Sequence, residues 1–318
     1  MSDWCADLKI QTTTIEDTFA EAFSMWYSRI VVTAINQRWV DAAVAEFCGY
    51  GSSVIGCDAE VGLERLVSET ETMDGRPGAR LLVFGFSKDA VGKALVNRVG
   101  QCVMTCPTTA VFNGLSTEDV EAEDGETESP VGNVPLGKHL RFFGDGFQKS
   151  KLIGDKRFWR IPVMDGEFIV EESVGVAQGV AGGNFLILST DQRTGLTAAE
   201  NGVDAIAGLS NVITPFPGGV VRSGSKVGSR YPKLRASTSE GFCPTLRGRV
   251  ETKLPDNVGC VYEIVIDGTD FESVATAIRV GIEAAVGEGI VSISAGNYGG
   301  KLGKHHFPLL SLFSEARQ

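Results

Sequence analysis

The chain alternates short apolar runs with stripes at helical spacing, and one run stands out. Cys260-Val261-Tyr262-Glu263-Ile264-Val265-Ile266-Asp267-Gly268 has the apolar density of a buried central strand, broken by one carboxylate in mid-run. Upstream, Thr13-x-x-Glu16 or Thr14-x-x-Asp17 caps a short predicted helix through IEDTFAEAFSMWY. Arg29 to Thr33 reads as a strand. Trp39, Val40, Ala43, Val44 and Phe47 form a helical stripe, and Ser52 to Cys57 a second strand. Arg80 to Phe86 is a third, followed by a helix carrying Ala90, Val91, Ala94, Leu95 and Val99, then a fourth strand, Cys102 to Thr105. The same order returns after residue 180: strand 184–188, a helix near 196–207, strand 211–222 broken by Pro215 and Pro217, the Glu263 strand, a helix from Phe271, and strand 290–294.

Two successive β-α-β-β-α-β units predict an α+β fold of two ferredoxin-like (split β-α-β) lobes arising by internal duplication, at 1–160 and 161–318. Between them lie 140–143, a Gly144-Asp145-Gly146 turn, and RFWRIPVM and EFIVEES, which read as an inserted β-hairpin region. In such a lobe the third strand is central, so Glu263 falls mid-sheet. Side-chain alternation sets Glu263 with Val261 and Val265, and Tyr262, Ile264 and Ile266 on the other face. A carboxylate among valines is costly when ionised, so its pKa rises and it serves as an acid/base near neutrality. The alternatives are an exposed strand position or a bond to a neighbouring loop.

Composition narrows the classes. A net charge of −11 disfavours a general nucleic-acid binder. No run approaches a membrane span, and the first residues lack the pattern of a secretory signal, so a cytoplasmic location is expected. Glycine, at 39 of 318 residues, exceeds the usual ~7% and implies many tight turns or close backbone approaches. The seven cysteines form no C-x-x-C and make no zinc spacing with the three histidines, so reduced thiols and no metal are expected. Residues 118–128 carry seven acids and read as a solvated loop.

Against this acidic background, 205–239 contains no acid but holds Arg222, Lys226, Arg230, Lys233 and Arg235. With Gly218-Gly219, Ser223 and Ser225 it suits the carboxylates or phosphates of a small ligand; the alternative is a solvated basic loop. Two Gly-Asn-aromatic steps, at Asn184 and at Asn297 (followed by Gly299-Gly300-Lys301), bring amides and flexible backbone together. They suit a ligand amide, or else plain turn chemistry. Ser225, Lys226, Asn184, Asn297 and Lys301, with Asp145 and Gln148 near the 144–146 turn, are the candidate substrate contacts. No P-loop, dinucleotide or G-x-S-x-G motif occurs.

Taken together, IEDTFAEAF (15–23), GQCVMT (100–105), FFGDG (142–146), GEFIVE (166–171), GVAGGNF (179–185), PFPGG (215–219), SKVGS (225–229), CVYEIVI (260–266), RVGIEAA (279–285) and SAGNYGGKLG (294–303) make the chain resemble formylmethanofuran:tetrahydromethanopterin formyltransferases. The resemblance spans nearly the whole chain in order. It implies two ferredoxin-like lobes, a homotetramer, and formyl exchange between the amine of methanofuran and N5 of tetrahydromethanopterin. Both are carrier substrates, with no tightly bound cofactor. It also implies that Glu263, in CVYEIV, is the acid/base. An N-terminal extension, the acidic insert at 116–130 and a distinct LRGRVETKLP segment make it similar to bacterial members that work with hydrolase subunits releasing formate. Two rival readings are a non-catalytic small-molecule-binding or scaffold subunit, and a cysteine acyltransferase using Cys243 or Cys102.

Overall fold

A computed structural model of the chain describes residues 8–115 and 132–314; the acidic stretch 118–128 lies outside them. The fold is mixed α+β. Its described residues fall into two compact units, 8–24 with 180–314 and 25–115 with 132–179, so residues 8–24 belong with the second half of the chain rather than with their neighbours in sequence.

In the unit that contains Glu263, two helices are started by aspartates. Asp191 Oδ1 accepts the Arg193 and Thr194 amides at 2.9 and 3.0 Å, opening Gln192–Ala207. Asp270 Oδ1 accepts the Ser273 amide at 2.7 Å, opening Phe271–Ala285. Each cap satisfies N–H groups that the first helical turn leaves unpaired. The buried stripes of these helices (Ala199 and Ile206; Val274, Ile278 and Ile282) cover one sheet face together with Phe185, Ile187, Ile264 and Ile266. The helices approach closely where side chains are absent. A Cβ on Gly281 would lie 2.8 Å from Ile206 Cδ1 and 3.0 Å from the Phe185 ring, and one on Gly202 would lie 3.1 Å from the Gly281 carbonyl.

The sheet order in this unit runs Thr13–Ile15, Ile290–Ser294, the 180–189 part of Val174–Ser189, Cys260–Gly268, Val212–Ile213. The Glu263 strand is thus flanked on both sides. Val221 extends the outer side, exchanging N–H···O bonds with Glu263 in both directions, at 2.8 and 3.0 Å. His305–Pro308 pairs antiparallel with Phe19–Ala22. The other unit orders its strands Glu60–Val67, Gly78–Gly85, 25–33, Ala110–Asn113, Gly166–Glu171, Lys156–Val163, Lys149–Ile153. Helices Gln37–Cys48 and Lys88–Arg98 bury Phe47, Val91 and Leu95 in its core.

Several expected elements differ from the structure. The segment expected as a capped helix through 15–27 is extended, in Thr13–Ile15 and Phe19–Thr33. The Thr-x-x-acid pattern that suggests a helix cap begins here in a strand, and Glu21 is buried. Ser52 to Cys57 is turns with Ile55 exposed, and the strand is Glu60–Val67. That strand's apolar run is hidden by Glu64, which is buried against Arg29 in a two-pronged ion pair at 2.8 and 2.9 Å. Cys102 lies in a widened helical turn, Val99–Val103, that continues the preceding helix, and the strand follows at Ala110–Asn113. Residues 140–143 are helical rather than hairpin.

Phe185 is inaccessible to solvent and fills the gap between the two helices. Phe185→Ala is expected to lower the unfolding free energy by about 3–5 kcal/mol, read from urea denaturation. A loss below about 1 kcal/mol would contradict this packing account.

Candidate active site

Glu263 points away from the helices. Ile264 and Ile266 enter the helix-covered core, so alternation sends Glu263, with Val261 and Val265, to the opposite face. There it faces Leu186 across the ladder and has Val221 on its other side. Leu186 and Leu188 form a small apolar cluster on this face with Leu254 and Val258, bordered by Phe242, Val261 and Val291. The Glu263 carboxyl forms no hydrogen bond or ion pair with any described residue. It keeps partial access to solvent but has protein on most sides, and this desolvation raises its pKa from 4.5 to about 7. It is therefore a group that both gives and takes a proton near neutrality.

Beside it lies a loop, 296–303, folded around a second glutamate. Glu21 is 1% exposed. Its Oε2 accepts the amides of Tyr298 (2.6 Å) and Gly300 (2.8 Å), and its Oε1 those of Leu302 (2.7 Å) and Gly303 (2.6 Å). Burial alone would raise its pKa, but the four N–H donors outweigh burial and hold it at about 2. Gly299 and Gly300 take φ of +71° and +70° to turn the loop, and a Cβ on Gly303 would sit 2.4 Å from the Ala22 carbonyl. The Tyr298 phenol is raised in pKa by desolvation first, then by the charges of Glu263 and Glu21, so it remains protonated.

The other candidate residues divide. Asn184 is 6% exposed and shares the face of Leu186 and Glu263. Its amide binds backbone on both sides: Oδ1 accepts the Gly296 N–H at 2.6 Å, and Nδ2 donates to the Gly296 and Gly182 carbonyls at 3.1 Å. Asn297 Nδ2 donates to Phe19 O (3.1 Å) and Thr18 Oγ1 (3.3 Å), while its Oδ1 accepts from Gly299 N (3.1 Å). In the structure both asparagine amides bond within the protein, chiefly to backbone. Lys301 is exposed and makes no ion pair among the described residues. Ser225 is exposed, while Lys226, on a two-strand ribbon with Ala236–Ser237, is ion-paired with Glu240 just beyond the acid-free stretch. Arg222, Arg230, Lys233 and Arg235 are exposed and unpaired among the described residues. Asp145 and Gln148 belong to the other unit. Asp145 is left-handed (φ 50°), and Gln148 Oε1 accepts the Gly146 amide at 2.9 Å.

The cysteine reading finds little support in the geometry. Cys243 Sγ contacts Thr238 Oγ1 and the Ser239 carbonyl, and burial pushes the Cys102 thiol up, away from thiolate. His305 is half-buried, and its Nε2 hydrogen-bonds with Ser24 Oγ at 2.9 Å. Among the described residues no group of three or more His, Cys, Asp or Glu side chains is placed to hold a metal ion, and no helix is long and apolar enough to cross a membrane.

Sequence reasoning found Glu263 because a lone carboxylate in an apolar run is conspicuous. It missed Glu21, which gathers four amides of the 296–303 loop. The one available signal was the glycine-dense GNYGGKLG, whose many free N–H groups imply an anion to meet them.

Solved structures share this mixed α+β fold. The formylmethanofuran:tetrahydromethanopterin formyltransferase of Methanosarcina barkeri superposes with a TM-score of 0.87 at 47% identity, covering 96% of this chain and all of that one. A chain of the formyltransferase/hydrolase complex of Methylorubrum extorquens, solved with methylofuran, superposes at 0.90 with 44% identity, covering 96% and 99%. A formylmethanofuran–tetrahydromethanopterin formyltransferase of Methylobacillus flagellatus is 50% identical over 309 residues, 96% of this chain and 99% of that protein. The family model described as formylmethanofuran-tetrahydromethanopterin formyltransferase matches residues 8–163, and its proximal-lobe model matches 166–312. The chain belongs to the formylmethanofuran–tetrahydromethanopterin formyltransferase family.

The raised pKa of Glu263 has a stability signature. Its neutral form favours the fold below about 4.5, and that stability is lost as pH rises through about 7. Glu263→Gln cannot ionise, so its melting temperature should gain on that of the wild type between about pH 5 and pH 8. A pH-independent difference between the two would contradict the desolvated carboxyl.

Proposed function

We propose that this protein transfers a formyl group between the amine of methanofuran and N5 of tetrahydromethanopterin, in the one-carbon metabolism that oxidises formaldehyde to formate, with Glu263 carrying the proton. The observation that carries the reading is a desolvated carboxyl with no partner among the described residues, in a member of this family. The receiving nitrogen attacks the formyl carbon, and the carbonyl π electrons move to oxygen. As the oxyanion collapses, the bond from carbon to the donor nitrogen breaks. Protonated Glu263 supplies the proton with which that amine leaves, and the resulting carboxylate takes the proton lost by the attacking nitrogen. The enzyme ends as it began.

The finer features of the reading follow from the same resemblance. Two ferredoxin-like lobes with the sequence boundary at 160/161 account for the repeated β-α-β-β-α-β order. A homotetramer in the cytoplasm, working with hydrolase subunits, is the assembly we propose; the relative from Methylorubrum extorquens is described in such a complex. Ser225, Lys226, Lys301, Asp145 and Gln148 are the proposed carrier contacts, and exposed Arg222, Arg230, Lys233 and Arg235 attract acidic carrier tails. Asn184 and Asn297 act on the carriers indirectly, by holding the loop.

Glu263→Gln should fold, bind both carriers and lose about 10²–10⁴-fold in kcat. In the direction that expels the methanofuran amine, wild-type kcat should fall as pH rises through about 7, with no such ionisation in the variant. Wild-type turnover by a folded variant would overturn the role of Glu263. Formyl exchange by the isolated chain would exclude a scaffold-only role. Replacing Arg230, Lys233 and Arg235 by Ala should raise KM several-fold at low salt, with the difference shrinking at high salt, and change kcat little. A salt-independent KM would refute the electrostatic role.

A further inference from the structure

Formyl transfer puts negative charge on the formyl oxygen, and a group must meet it. The backbone N–H groups of the glycine-rich steps are the obvious donors, but most are committed elsewhere. The Gly296 amide is bound by Asn184, those of Tyr298, Gly300, Leu302 and Gly303 by Glu21, that of Gly299 by Asn297, and that of Gly182 by Asp267 at 2.9 Å. Both asparagine amides are likewise engaged.

The Tyr298 hydroxyl has no such commitment. Tyr298 is half-buried, its ring centroid lies 6.1 Å from that of Phe23, and its hydroxyl bonds no described residue. It lies within electrostatic reach of Glu263. Its backbone, by contrast, is tied down: its own amide is one of the four that Glu21 gathers, and its neighbours Gly296 and Asn297 are tethered to residues 184 and 19. Asn184, on the same sheet face as Glu263, holds Gly296, and Glu21 holds the Tyr298 amide, so a phenol without a partner among the described residues is fixed on the loop that starts from that face.

We propose that Tyr298 is the hydrogen-bond donor to the formyl oxygen in the transition state, and that Glu21 is the positioning residue that holds it there. The assignment rests on the reading of Glu263 as the proton carrier. The two carboxyls then have separate duties: Glu263 moves a proton, and Glu21 stays charged at the centre of the loop. The phenol donates without ionising and forms no covalent bond. Removing its hydroxyl takes away an interaction made to developing charge, so kcat falls while KM for the carriers is nearly unchanged.

The test is a double-mutant cycle on the full-length protein with both carriers, with rates normalised to folded protein. Tyr298→Phe should melt like the wild type, since its hydroxyl bonds nothing internal, and lose about 10²–10³-fold in kcat. Glu21→Gln has the same shape but turns an NH₂ towards two of the four amides, and should lose a comparable factor. Because both changes remove the same donor, the double variant should be no more than about threefold below Glu21→Gln alone. If Glu21→Gln does not fold, Glu21→Asp, which keeps the charge on a shorter arm, takes its place in the same cycle. Wild-type kcat in Tyr298→Phe, or losses that multiply in the double variant, would overturn the proposal. Glu263→Gln separates the two readings. An inactive Glu263→Gln beside a fully active Tyr298→Phe sinks only the donor assignment, whereas a fully active Glu263→Gln sinks the proton-carrier reading beneath it.

Discussion

The carboxyl of Glu263 has lost much of its hydration with no compensating bond from any described residue, and the candidate chemistry depends on that imbalance. An ionised carboxylate is ordinarily buried only when hydrogen bonds or a cation replace its hydration. The same unit shows both outcomes for the same residue type. Glu21 is inaccessible and accepts four amides, which hold it at about 2; Glu263 accepts none and rises to about 7. The surroundings drive two carboxyls of one unit apart, one to a permanent charge and the other to a group that titrates near neutrality.

The fold makes this contrast possible. Two aspartate-capped helices cover one face of the sheet, and alternation along Cys260–Gly268 sends the isoleucines to them and Glu263 to the other side. On that side Leu186, Val221 and the Leu254–Val258 cluster exclude water without offering a donor. The loop at 296–303 turns its N–H groups inward to Glu21. Donors that would have lowered the pKa of Glu263 are spent elsewhere, and the apolar face keeps it high.

Much of this was legible in the chain, for identifiable reasons. The strands 260–268 and 290–294 and the helix from Phe271 are strongly patterned and occur where the periodicity puts them. The misreadings cluster where a charged residue is buried. Thr13-x-x-Glu16 has the look of a helix cap but lies in extended chain whose Glu21 is buried, and Glu64 interrupts the apolar signature of 60–67. Local pattern assumes that charges face water, and it fails where a partner far along the chain removes that need. Glu21 and Gly300 are 279 residues apart. For the same reason the sequence could not show that the Asn184 and Asn297 amides bond to backbone of distant segments, which tertiary structure decides.

Membership in the formyltransferase family sets the reaction class, and the proposed mechanism turns on the protonation state of one side chain. The most direct test is the titration of that side chain, followed by infrared difference spectroscopy of wild type against Glu263→Gln across pH. The account predicts a protonated-carboxyl C=O band, absent from the variant, that disappears with a midpoint near 7. A midpoint at the ordinary carboxylate value of about 4.5 would contradict it.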